Sequence, residues 1–102
     1  MNLFKKNSHI IASFGEKELS DPAAEIQKKL ESLLPIPAGQ ELRLSIAEST
    51  DLYMDALCAF SYFSKKTRMN GHRVVLKARS EVIENIKLLG LESYFDDLKV
   101  GE

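Results

Sequence analysis

Residues 71–91 read GHRVVLKARSEVIENIKLLGL, and the fold turns on this stretch. Its centre, Val74-Val75-Leu76, is an apolar, β-rich run of strand length, expected to be covered on at least one face. Ser80 then opens a helix in which Val82, Ile83, Ile86 and Leu89 recur at the three- and four-residue spacing that puts side chains on one face. Gly90 supplies the left-handed residue that ends helices, and Leu91 is placed for the apolar contact that accompanies such a stop. A strand running into a helix in this way predicts crossover connections and a mostly parallel sheet.

Working upstream, Asn70-Gly71 closes a helix predicted from about Met54 to Met69. Leu57, Phe60, Ser61 and Ser64 share one side of it, while Ala56, Ala59 and Phe63 share another. An apolar arc this wide predicts a largely buried helix. Before it, Leu42, Leu44 and Ile46 alternate with Arg43 and Ser45, the period of two of a strand. Earlier still, Ser20-Asp21-Pro22 reads as a helix start, with a side-chain oxygen for the orphan backbone donors. Ala23, Ile26, Leu30, Leu33 and Leu34 form its apolar stripe, and Pro35 and Pro37 stop it. The chain opens with a strand from His9 to Phe14, closed by Gly15 and paired as a hairpin with Leu3 to Lys6 across Asn7-Ser8. Downstream of the opening stretch, a helical turn around Glu92 to Asp96 and a strand at Leu98 to Val100 finish the chain. The order is ββαβαβα plus a tail. It predicts one α/β domain over residues 1–102, with a mixed, mostly parallel sheet of four to five strands and helices mainly on one face.

The composition suits one globular core: 102 residues, 44% hydrophobic and 28% charged. Fourteen basic against fifteen acidic side chains leave a formal net charge of −1, so no global field draws in nucleic acid or anionic lipid. The short cationic runs at Lys5-Lys6, Lys28-Lys29 and Lys65 to Arg68 read as solvated surface. Cys58, the one cysteine, lies in the apolar run Leu57-Cys58-Ala59-Phe60 and reads as a buried small hydrophobe in a reducing compartment. The first residues lack the apolar stretch of a signal peptide, and no segment has the roughly 20 apolar residues of a membrane helix. A cytoplasmic protein with no membrane insertion is expected.

No set of residues converges on a catalytic chemistry. The glycines are dispersed, so no phosphate-cradling loop is present. His9 and His72 each begin a predicted strand with no partner at zinc-ligand spacing, and neither metal nor cofactor is expected. Cys58 with a distant histidine is a poor imitation of a thiol dyad. Asp51 and Asp55, near the end of the third strand, suggest a phosphoacceptor. That chemistry also needs an acidic pair after the first parallel strand, and Phe14-Gly15-Glu16 offers one carboxylate. Lys77 reads as a solvated side chain. Asp55 falls on the opening turn of the buried helix, where the helix dipole favours an anion by about 0.3 to 1 kcal/mol. Ser49 and Thr50 read as turn residues in the loop before it. A non-enzymatic role follows.

Several phrases together resemble the STAS domain family, over nearly the whole chain. Phe14-Gly15-Glu16-Lys17-Glu18-Leu19 is similar to its turn between second strand and first helix, and Leu42-Arg43-Leu44-Ser45 to its third strand. Gly71 to Leu76, and then Val82 to Phe95 with Leu88-Leu89-Gly90-Leu91, resemble its fourth strand and last helix. The resemblance implies a regulatory binding module like the anti-sigma factor antagonists, in which a partner kinase phosphorylates a serine at the start of the second helix. Here Tyr53-Met54-Asp55-Ala56-Leu57 occupies that place, with Asp55 at the serine position and Ala56 at the family's glycine. The implied partner-binding residues are Ser49, Thr50, Asp51, Tyr53, Met54, Asp55 and Ala56. The implied partner is a protein: an anti-sigma factor or related serine kinase, or else the ATPase of a bacterial lipid-transport ABC complex. Tyr53 and Met54 are the expected contact side chains toward that partner, and a homodimer is compatible with this reading.

Overall fold

The computed structural model describes residues 1–6, 8–47 and 53–101. Asn2–Lys5 (β1) and His9–Ser13 (β2) form the antiparallel pair, with Phe4 opposite Ile11 and Lys5 opposite Ile10. Glu41–Ser45 (β3), Val74–Ala78 (β4) and Asp97–Val100 (β5) then add in parallel, each beside the strand before it. Strand order in the sheet is therefore strand order in the chain. Glu16–Leu19 (α1) and Ala23–Glu31 (α2) link β2 to β3, Met54–Met69 (α3) links β3 to β4, and Ser80–Leu88 (α4) with a 3₁₀ turn at Glu92–Tyr94 links β4 to β5.

The two faces of the sheet differ. Ile10, Ala12, Leu42, Leu44, Val74, Leu76 and Ala78 are buried and join one core with Ile26 and Leu30 of α2, Phe60 and Phe63 of α3 and Val82 and Ile86 of α4. Alternate residues, Ile11, Ser13, Arg43 and Ser45, point away from that core and are half-buried. Consecutive right-handed crossovers place every helix on the same side of such a sheet, which leaves the other side bare.

The long helix runs through the centre. Its buried residues, Ala56, Leu57, Ala59, Phe60, Ser61, Phe63, Ser64 and Thr67, span the wide arc that the sequence predicts, and Phe60 packs edge-on against Phe14 with ring centroids 5.1 Å apart. Asn70 caps the helix, and Gly71 takes φ of 89°. At the end of α4, Gly90 has φ of 73°, the Gly90 N–H donates to Lys87 O, and the Leu91 N–H donates to Ile86 O. These are the two bonds of a Schellman stop.

Four local expectations fail. The Ser20 hydroxyl donates back to Lys17 O at 2.8 Å and caps nothing ahead of it, because residues 16–19 already form a helical turn. The N-cap of α2 is Pro22, with no side-chain cap. Arg79, not Ser80, is the N-cap of α4, and Ser80 is its first helical residue. Leu89 lies half-exposed beyond the last turn of α4, since the chain turns off at Gly90 before the stripe returns inward. Finally, Cys58 is exposed. Its neighbours Leu57, Ala59 and Phe60 hold the buried arc, and position 58 falls on the strip that no other element covers. A smaller departure is Thr67, which is buried within the otherwise solvated cationic run.

Candidate functional site

The parallel strands end on a common rim, and the three exits that matter are stitched together there. Phe14 N–H donates to Ser45 O and Ile46 N–H to Lys77 O, which extends the ladders past the strands by one residue each. The Arg79 guanidinium, at the exit of β4, donates through Nε to Ala47 O at 2.9 Å, at the exit of β3. The ends of β3 and β4 are thus held in register at the point where the chain departs toward α3.

Tyr53 is the residue on which α3 begins. Its backbone is extended, its carbonyl accepts the first helical bond from Leu57 N–H at 2.9 Å, and its half-buried ring packs against the core. The phenol donates to Glu16 Oε1 at 3.3 Å, so α1 supports the start of α3 from the side. Glu18 of α1 is fastened in turn. It accepts from the Gly15 N–H at 3.3 Å and from Lys29 at 3.2 Å, and it pairs with the Met1 ammonium. Lys29 also reaches Asp21 at 3.5 Å.

On this support, the first turn of α3 turns outward. Met54 is 52% exposed, and Asp55 is exposed in the first turn, where the helix dipole favours its charge. Ala56 and Leu57 face the core, so Ala56 contributes packing and not surface. Tyr53 is a supporting side chain more than a contact, because its ring is half-buried and its hydroxyl is engaged. Ser49, Thr50 and Asp51 lie outside the described residues.

One part of the site escapes sequence reasoning. Cys58 and Tyr62 follow Asp55 at spacings of three and four and are both exposed, which makes one outward stripe along α3. With Ala23, Ala24 and Gln27 of α2 they line a shallow, mostly apolar depression of about 320 Å³. Lys66 sits over the Tyr62 ring, 5.3 Å from its centroid. The signal was the 55–58–62 spacing itself, masked by the apolar character of the residues between.

His9 and His72 lie on the opposite rim, His9 at the start of β2 and His72, against expectation, two residues before β4: His9 Nδ1 is 3.2 Å from Ser8 Oγ and His72 Nδ1 is 3.4 Å from Gln40 O. Among the described residues no three His, Cys, Asp or Glu side chains gather into a metal-holding group, and no helix is long and apolar enough to cross a membrane.

No protein-family model matches the chain, and no curated protein matches it in sequence. Among solved structures, a chain from the molecular architecture of the stressosome, described as a signal integration and transduction hub, superposes with a TM-score of 0.77. The match covers 97% of this chain and 88% of that one at 14% identity. The fold is STAS-like, a five-stranded and mostly parallel α/β sheet.

Proposed function

We propose that this chain is a non-catalytic regulatory module of a signalling assembly, which docks a protein partner through the start of α3 and the stripe that continues from it. The observation that carries the reading is the pairing of Met54 and Asp55, both exposed on the opening turn of the central helix, whose start is braced by the Tyr53–Glu16 hydrogen bond. A flexible apolar side chain beside a fixed charge, with the apolar depression at Cys58 and Tyr62 next to them, is the make-up of an interface core with a polar rim. The stressosome likeness supports a role in signalling.

Asp55 decides how such a module is controlled. A carboxylate takes no phosphate from a serine kinase, and its single charge falls short of the −1.5 to −2 of a phosphoserine. Control by phosphorylation at this residue is therefore absent, and the partner meets a permanent anion. That same feature favours a second reading, a STAS subunit that binds the ATPase of a lipid-transport ABC complex without any phosphate switch.

Pull-down from native lysate, with partners identified by mass spectrometry and labelled phosphate followed on wild type and Asp55→Ser, tests both. The wild type is expected to take no phosphate at position 55. Met54→Ala with Asp55→Ala is expected to weaken partner retention about tenfold, or about 1.4 kcal/mol. A kinase-like ATPase supports the first reading and an ABC ATPase the second. Unchanged retention by the double variant would remove α3 from the interface.

A further inference from the structure

The bare face of the sheet carries a groove of about 470 Å³, a volume within the range of small-molecule sites. Strand register gives it two rows. Phe4, Ile11, Arg43 and Val75 share the first, which is apolar apart from the Arg43 guanidinium, turned along its own strand to Glu41; Val75 at 2% exposure forms its floor although it lies outside the helical core. Ser13, Ser45, Lys77 and Lys99 share the second, two residues further along the strands, and this row is polar and cationic.

The charges on this face do not balance. Glu41 is engaged by Arg43 Nε at 2.7 Å and Arg73 Nε at 3.2 Å, and Asp97 Oδ1 accepts from the Leu98 N–H at 2.9 Å. Lys77 and Lys99 sit directly opposite each other on neighbouring strands, and neither has an ion-pair partner among the described residues. Like charges in that relation oppose the pairing of the strands. Lys77 is also held in place, since its stem lies so close over Gly101 that any side chain there would meet its Cγ, Cδ and Cε.

We infer that this groove binds a free medium-chain fatty acid, with the carboxylate between Lys77 and Lys99 and the acyl chain laid across the strands over Val75, the aliphatic stem of Arg43 and Ile11, its tail toward Phe4. An anion between the two ammonium groups relieves their repulsion, and the Ser45 hydroxyl, beside Lys77 in the same row, is a further donor on that side. Two strand spacings separate Val75 from Ile11, about 10 Å, which suits an extended chain of that class. The site lies on the face away from α3 and stands independently of the docking surface proposed above.

Titration of the ¹⁵N-labelled protein with decanoate, followed by amide chemical shifts, tests the assignment. Saturable shifts are expected at Ile11, Ser45 and Val75, well below the concentration at which decanoate forms micelles. Lys77→Gln with Lys99→Gln is expected to weaken decanoate at least tenfold and to leave the binding of decanol unchanged. The proposal is overturned if the wild type gives no saturable shift, if the shifts gather on α2 and α3 instead, or if the double variant binds decanoate as before. It is overturned equally if only lipid vesicles perturb the groove, or if its amides shift with protein concentration alone, the mark of a second copy on this face.

Discussion

At the scale of single residues, Glu18 is the best-defined titrating group. Burial pushes its carboxyl up, but the hydrogen bonds from the Met1 ammonium, the Gly15 N–H and Lys29 outweigh burial and hold its pKa below the usual glutamate value. A carboxylate with a depressed pKa stabilises the fold above the ordinary carboxylate range and loses that contribution as pH falls through its folded pKa. Glu18→Gln is therefore expected to lower stability at neutral pH by about 0.5 kcal/mol, the size of a solvent-screened pair. The deficit should vanish on acidification, and urea unfolding of both proteins across pH measures it. A deficit that persists at acid pH would mean that the side chain matters through packing. Residues of this kind are illegible in advance, because Glu18 draws its partners from positions 1, 15 and 29. Cys58 fails to read correctly for the complementary reason: side-chain hydrophobicity is local, whereas cover is supplied by another element, and here none supplies it.

At the scale of elements, the stop of α4 offers a sharp test. Gly90 sits at φ of 73°, in the left-handed region, with no atom within 4 Å of where a Cβ would be. Gly90→Ala thus meets backbone strain alone and is expected to cost about 1 kcal/mol, read as a lower denaturation midpoint with an unchanged slope. A neutral substitution would show that the helix end relaxes. The elements that were legible are those whose period repeats long enough to be counted: the alternation in β3, the wide arc of α3 and the stripe of α4. The short α1 was not. Four residues give no periodicity, and the bonds that define it run to Tyr53 and to Lys29. For the same reason the Ser20 hydroxyl, which looks like a cap for α2, serves the turn before it.

At the scale of the whole molecule, one layer of helices over one face of the sheet was readable from the order of strands and helices, because crossover handedness leaves little choice. The start of α3 was readable through the resemblance, but the stripe through Cys58 and Tyr62 depends on how α2 and α3 sit together, which no local pattern encodes. The layering also ranks the strands. Amides of β3, paired on both sides and packed under α3, should exchange slowest with deuterium, while those of β1, an edge strand exposed along its length, should exchange fastest. Equal protection of the two would contradict this ranking. The agreement between strand order and chain order has one more effect. No strand waits for a later segment to be inserted beside it, so the sheet can grow from its first hairpin outward during synthesis, each newly emerged strand docking against a finished neighbour.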